Sequence, residues 1–183
     1  MKILVRLLLV ISPALALAET IPDISNEQLL LQSRTLVSEF EKQLGGKLKA
    51  AMQQGGPVTA IKVCSEEADA IAKAIGTQHH ATVKRITDKP RNPNNRADNK
   101  QALALQRLAT LISQQPSQPL EVLTHEDTGQ TYYRAIQIKP LCLTCHGTNI
   151  AAPVQDALAQ LYPEDKATGY QAGDLRGAFM VEW

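Results

Sequence analysis

The chain has 183 residues, with 19 lysine and arginine residues against 18 aspartate and glutamate residues. This near-neutral balance excludes the strongly basic surface that nucleic acids or anionic membranes attract, so we expect neither as a partner. The three cysteines are an odd number, and at least one of them therefore has no disulfide partner within the chain.

The first 18 residues have the pattern of a secretory signal peptide. Lys2 and Arg6 are basic, residues 7–17 are almost wholly apolar, and Ala16-Leu17-Ala18 is a small-x-small cleavage site. The uninterrupted apolar run of about 11 residues is shorter than the roughly 20 that a membrane-spanning helix needs. We therefore expect cleavage after Ala18, export to the periplasm with no membrane span retained, and a single domain over residues 19–183.

The mature chain begins with two predicted amphipathic helices. The first runs from Ile24 to Met52, with Ser25 as its N-cap, and residues 53–57, which end in Gly-Gly-Pro, predict a firm stop. The second runs from Val58 to Ile75, and its apolar spacing places Cys64 on the inward face. A third helix is predicted over residues 97–114, and a short one over residues 154–161.

Four segments have the alternation or composition of β-strands. Residues 81–87 alternate as a strand with one buried face, residues 120–126 and 131–138 form a hairpin around Asp127–Gln130, and residues 177–183 form the last strand. Helices followed by strands predict an α+β fold with an antiparallel sheet of four or five strands.

The sequence Cys142-Leu143-Thr144-Cys145-His146 directly follows the hairpin and has the spacing for covalent attachment of a c-type haem. The two thiols reach the two vinyl groups of one porphyrin, and His146 offers an imidazole to the iron. A zinc site would need a second ligand pair at suitable spacing, and a thioredoxin-like dithiol would open a long helix. The motif, together with the expected export, favours one covalently bound haem c in a loop.

A haem iron bound only by His146 would be five-coordinate, which raises the question of a second ligand. Met52 and Met180 are expected to fill gaps in the core, and the remaining histidines are expected at the surface. Cys64 is inward-facing and unpaired, but a small buried hydrophobic residue is an equally good interpretation of it. The candidate donors are Cys64, Met52, Met180, His79, His80 and His125.

Five stretches resemble a family of exported haem domains, formerly catalogued as a domain of unknown function and described as PAS-like c-type cytochrome or haem-sensor domains. They are Ala60–Ser65, Arg91–Asn95, Pro140–Gly147, Tyr162–Tyr170 and Gly173–Ala178, in the family's order, and the match covers residues 24–181. The resemblance implies a PAS-like antiparallel sheet preceded by long helices. It also implies one covalently attached haem whose iron is bound by His146 and by the thiolate of Cys64.

The resemblance further implies a redox or diatomic-gas sensor. Thiolate ligation favours ferric iron, so reduction is expected to release Cys64 and open a position for CO or NO. The chain stops at Trp183 without an output module, so a signalling role would require a separate protein partner. The alternatives are a soluble low-potential electron-transfer cytochrome with a redox partner, and a peroxidase; enzymatic activity is not expected, since a thiolate at the distal position argues against it.

Two further pocket contacts are considered. Arg91 is a candidate for a hydrogen bond to a haem propionate, and Tyr132 or Tyr133 for the pocket wall. For Arg91 we prefer the interpretation of an ordinary ion pair in a loop. For the tyrosines we prefer core packing.

Overall fold

The computed structural model describes residues 25–114, 119–126 and 129–183, so the predicted signal peptide and the tip of the predicted hairpin lie outside the described residues. The described part confirms the α+β class. In chain order its elements are α1 (Asn26–His79), β1 (Thr82–Ile86), α2 (Asn99–Gln114), β2 (Glu121–Glu126), β3 (Gly129–Gln137), α3 (Leu143–His146), α4 (Ala152–Leu161) and β4 (Leu175–Glu182), with 3-10 turns at Pro93–Asn95 and Pro140–Cys142.

Helix α1 begins as predicted and is interrupted where the glycines predict a break. The Ser25 hydroxyl accepts a hydrogen bond from the Gln28 backbone N–H at 3.3 Å, in a capping box. Gly55 and Gly56 have non-helical backbone angles. The predicted break between a first and a second helix is therefore confirmed, and the second segment follows at once with Pro57 in its first turn, where a missing N–H costs no hydrogen bond.

The second segment of α1 continues beyond the predicted end at Ile75. It reaches His79, and His80 closes it in the left-handed conformation with φ of 55°. Gly76 therefore lies inside the helix, where a Cβ atom would come within 2.5 Å of the Ala81 carbonyl oxygen. The missing Cβ of Gly76 permits close packing of the helix against the start of β1.

The sheet has the strand order β1-β4-β3-β2, with all neighbours antiparallel. The β2–β3 pairing confirms the predicted hairpin. Helices cover both faces of the sheet. Tyr132, Phe179 and Val181 belong to the first core cluster, which also includes residues of α1. Tyr133 and Met180 belong to the second core cluster, which also includes residues of α2. Residues that alternate along a strand thus enter two cores, so the central strands are buried on both faces.

A third cluster attaches the segment between β3 and β4 to the rest of the molecule. Ile150, Val154 and Leu158 pack against Ile61 in the second segment of α1. The 3-10 turn, α3, α4 and the following loop therefore lie beside α1 and the end of the sheet. None of the helices that the structure describes has both the length and the apolar composition to cross a bilayer.

The two leucines Leu108 and Leu103 of α2 provide a test of this packing. Leu108 is 0% exposed and Leu103 is 59% exposed. We predict that Leu108→Ala lowers the free energy of unfolding by about 2–5 kcal/mol, because it leaves a cavity between α2 and the sheet. Leu103→Ala should change it by less than about 0.5 kcal/mol. Urea denaturation followed by circular dichroism measures both, and equal effects would contradict the described packing.

Candidate functional site

The two cysteines of the CxxCH sequence lie on a helical turn at the edge of a cavity. Pro140–Cys142 is a 3-10 turn that leads directly into α3, so the predicted loop is in fact helical. In a helix, residues three positions apart are neighbours on one face, which brings Cys142 and Cys145 to the same side. Both are half-buried and carry free thiols. The geometry suits attachment of both sulfurs to one planar group.

His146 is held in the tautomer that a metal ligand requires. Its Nδ1 atom lies 2.7 Å from the carbonyl oxygen of Ala167, which can only accept, so Nδ1 carries the proton. Burial, followed by the charges of Arg91 and Arg176, lowers the pKa of His146 to about 3. The imidazole is therefore neutral, with an unprotonated Nε2 whose lone pair is free to bind a metal.

Cys64 reaches the same site from the second segment of α1. Its thiol is free and half-buried, and it lines the same cavities as His146. Burial raises the pKa of Cys64, while the charges of Arg85, Arg91 and Arg176 oppose that rise. The fold thus places the sulfur of Cys64 and the imidazole of His146 in one site, although 82 positions separate them in the sequence.

Two adjoining cavities, of about 250 and 210 Å³, form the site. The first lies against the ends of β1, β3 and β4 and has a polar wall that includes Arg85 and Arg176. The second has mainly apolar walls, with Met52, Ile61 and Leu141 among them. Such a space, apolar at one end and polar at the other, suits a flat amphipathic cofactor. The residues that line both cavities are Leu48, Cys64, Arg91, Cys142, His146 and Tyr162.

Arg91 lines both cavities, and its guanidinium is committed to the protein itself. Its Nε donates to the Asp165 carboxylate at 3.0 Å, and its Nη2 donates to the carbonyl oxygens of Cys145, at 2.5 Å, and Ala167, at 3.3 Å. Both side chains of this ion pair are only 10% exposed. Arg91 therefore joins α3 to the loop after α4.

The two tyrosines considered for the pocket wall lie elsewhere. Tyr132 is 0% exposed in the first core cluster, and its hydroxyl donates to the Glu121 carboxylate at 2.7 Å. Burial, strengthened by that hydrogen bond, raises the pKa of Tyr132. Tyr133 packs with α2 in the second cluster. Neither tyrosine is among the residues that line the two cavities.

Sequence reasoning assigned no role to three residues of this site, namely Tyr162, Arg85 and Arg176. Tyr162 lines both cavities, and burial, with a smaller contribution from Cys64, raises its pKa to about 12. It belongs to one of the stretches that carry the family resemblance, which was the available signal. Arg85 and Arg176 lie on different strands, and nothing in the sequence indicates that they meet.

Among the alternative iron ligands, Met52 is the one that lines a cavity of the site. Met180 packs in the second core cluster, His79 faces Glu39 at 3.7 Å, and the His125 ring contacts Asn26 at 3.0 Å. His80 lines a separate groove on the α1–β1 side. In the part of the chain that the structure describes, no three histidine, cysteine or acidic side chains group closely enough to hold a metal ion by themselves.

Comparison with known proteins gives one family and one similar solved structure. The family described as Tll0287-like matches residues 14–183 of this chain. The crystal structure of the cyanobacterial heme-protein Tll0287 aligns with a TM-score of 0.63 and 24% identity, covering 87% of this chain and 96% of that one. At this identity the alignment shows a shared fold. No curated protein matches the chain.

The Arg91–Asp165 pair gives a prediction about the stability of the site. Arg91→Gln should lower the free energy of unfolding by about 3–5 kcal/mol, because it leaves the buried Asp165 carboxylate without its cation. The double variant Arg91→Gln/Asp165→Asn should be less destabilised than Arg91→Gln alone. Chemical denaturation of the three proteins measures the difference, and an unaltered midpoint in Arg91→Gln would refute this account of the pair.

Proposed function

The chain belongs to the Tll0287-like family, which confirms the resemblance predicted from its motifs, and we propose that it is an exported protein that binds one haem covalently. The observation that carries this proposal is the arrangement of Cys142, Cys145 and His146 around one cavity, with Nε2 of the imidazole unprotonated. The similar solved protein is described as a heme-protein, which supports the same cofactor.

The two thiols and the imidazole have separate roles in this proposal. Cys142 and Cys145 each add their S–H bond across one vinyl group, forming two thioethers without any external oxidant. His146 binds the iron through Nε2, while Nδ1 stays on the Ala167 carbonyl and fixes the orientation of the ring. Attachment of this kind takes place on the exported side of bacterial membranes, so the proposal includes the predicted signal peptide and a periplasmic location.

We assign the second axial position to the thiolate of Cys64. The haem supplies a redox-active iron with two axial positions, of which His146 takes one. Cys64 is half-buried beside His146 and bonds to no other sulfur, and the charges of three arginines partly offset the effect of burial on its pKa. Those charges stabilise the thiolate, while burial, the larger effect, leaves the pKa of Cys64 raised in the haem-free chain. A thiolate ligand stabilises ferric iron and is expected to give a low reduction potential.

A redox or gas sensor is the function that this arrangement supports best. If an external one-electron donor reduced the iron of a bound haem, Cys64 would take up a proton and leave, and CO or NO would bind in its place. Cys64 lies on the segment of α1 that follows the Gly55–Gly56 interruption, and this segment packs on α4. Release of Cys64 would therefore move the segment of α1 that carries it, and a separate signalling protein would detect this movement.

A soluble electron carrier is the second candidate, and one observation favours it. Leu141, next to Cys142, is 70% exposed and lines the apolar cavity, so one edge of the bound cofactor would lie near the protein surface. A carrier requires that both ligands stay bound in both oxidation states, whereas a sensor requires that one leave. The proposal assigns no catalytic reaction to the site.

Optical and EPR spectra of the haem-loaded protein test the ligand assignment. We predict that Cys64→Ala abolishes the low-spin thiolate signature of the ferric protein, because it removes the donor atom. Ser65→Ala is the matched control, because Ser65 is the next residue along the helix from Cys64. The Ser65 hydroxyl donates to the Lys62 carbonyl at 2.8 Å. An unchanged ferric spectrum in Cys64→Ala would exclude Cys64 and leave Met52 as the candidate ligand.

The same spectra separate the two functions. A sensor predicts that the reduced wild-type protein loses the thiolate signature and binds CO. Retention of thiolate ligation after reduction, with no CO-dependent shift, would contradict the sensor and support the carrier. A haem-free chain after expression with the c-type maturation system would contradict both.

A further inference from the structure

The polar wall of the first cavity carries two arginines that have no acidic partner. Arg85 on β1 and Arg176 on β4 both line this cavity. Arg176 Nη1 donates to the Thr87 hydroxyl at 3.1 Å and to the Lys89 carbonyl at 3.2 Å, both neutral groups. The Arg85 guanidinium lies 5.7 Å from the centre of the Phe40 ring. Neither forms an ion pair within the described parts of the chain.

The contrast with the neighbouring arginines makes this pair distinctive. Arg91, in the same cavity, is paired with Asp165. Arg134 on β3 lies in register opposite Phe179, as Arg85 does on the other side, and it is paired with Glu41. Arg85 and Arg134 thus occupy equivalent places on the two strands that flank β4. Arg134, which is not among the residues that line the cavity, is paired with a carboxylate, whereas Arg85, which lines the cavity, is not.

Cations at the wall of a partly enclosed cavity are costly without an anion, since they have lost part of their hydration. Burial lowers the pKa of Arg176, in keeping with that loss of hydration. The opposite end of the site is apolar and is the end at which Cys145 lies. An occupant with an apolar edge at the cysteines and carboxylates at the far edge would satisfy both ends.

We propose that Arg85 and Arg176 bind the two propionate carboxylates of the haem. This inference rests on the proposed haem-binding function and extends it by giving the cofactor one orientation, with the vinyl edge at Cys142 and Cys145 and the propionate edge at β1 and β4. Each guanidinium has a planar set of donors suited to a carboxylate. Arg91 has a different role, because its charge is already compensated by Asp165.

Resonance Raman spectroscopy of the haem-loaded protein tests this, because the propionate bending band responds to hydrogen bonding at the carboxylates. We expect a shift of this band in Arg85→Gln and in Arg176→Gln. Arg134→Gln is the matched control, since it removes the same charge from the equivalent place on β3, and its band should not shift. An unshifted band in both Arg85→Gln and Arg176→Gln, or a shift of equal size in Arg134→Gln, would overturn the assignment.

Two further measurements keep the result interpretable. If either glutamine variant does not fold or load haem, Arg85→Lys and Arg176→Lys replace it, because lysine keeps the charge but loses the planar donor pair. A smaller shift in the same direction is then expected, and no shift overturns the proposal. The pyridine haemochrome spectrum of the wild type tests the proposed function separately from the arginine assignment. Absence of haem c contradicts the proposed function. Presence of haem c with unshifted propionate bands in the variants contradicts the arginine assignment alone.

Discussion

The site depends on the buried contacts of Arg91 with three groups that are distant in sequence. The Ala167 carbonyl that receives one of its hydrogen bonds also accepts from His146 Nδ1. The Cys145 carbonyl that receives another belongs to the helical turn carrying the thiols. Asp165 compensates the charge that these contacts bring into the interior. One guanidinium therefore fixes the turn, the loop and, through Ala167, the tautomer of the imidazole.

The sheet supplies the other half of the site through the position of its last strand. The segment from Ile138 to Asp174 is a long connection between the neighbouring strands β3 and β4; its two ends are hydrogen-bonded to each other, and its α4 packs beside α1. In β4, Gly177 has φ of 151°, and a Cβ atom there would lie 2.3 Å from the Ile86 carbonyl oxygen. Only glycine permits this approach of β4 to β1. The close approach sets Arg85 and Arg176 on one wall.

The arginine charges of the site act to lower the pKa values of both proposed iron ligands. Burial is the main cause of the lowered pKa of His146 and of the raised pKa of Cys64; the positive charges of Arg85, Arg91 and Arg176 add to the first shift and oppose the second. They favour a neutral imidazole and an anionic sulfur, which are the forms that bind metal. Protonation of Cys64 would then depend on how far bound carboxylates offset these charges, which links the two ends of the cavity.

Local patterns in the sequence predicted the helices and strands. The features that these patterns missed depend on contacts between residues far apart in the sequence. The Ser25 cap, the hairpin and the CxxCH spacing each depend on residues only a few positions apart. The continuation of α1 past Ile75 to His79 was missed, since a glycine at position 76 inside the helix is explained only by its close packing against β1. Arg85 and Arg176 line the same cavity because β1 pairs with β4. A single sequence does not indicate which strands pair or in which register.

The central claim is that one iron is bound by the imidazole of His146 and the sulfur of Cys64. X-ray absorption at the iron K-edge of the ferric, haem-loaded protein tests it most directly, because the extended fine structure distinguishes sulfur from nitrogen among the nearest neighbours of the iron. The account predicts one sulfur scatterer in the wild type, with a short iron–thiolate distance, that is absent in Cys64→Ala. A first shell containing nitrogen alone in the wild type, or a sulfur that persists in the variant, would contradict it.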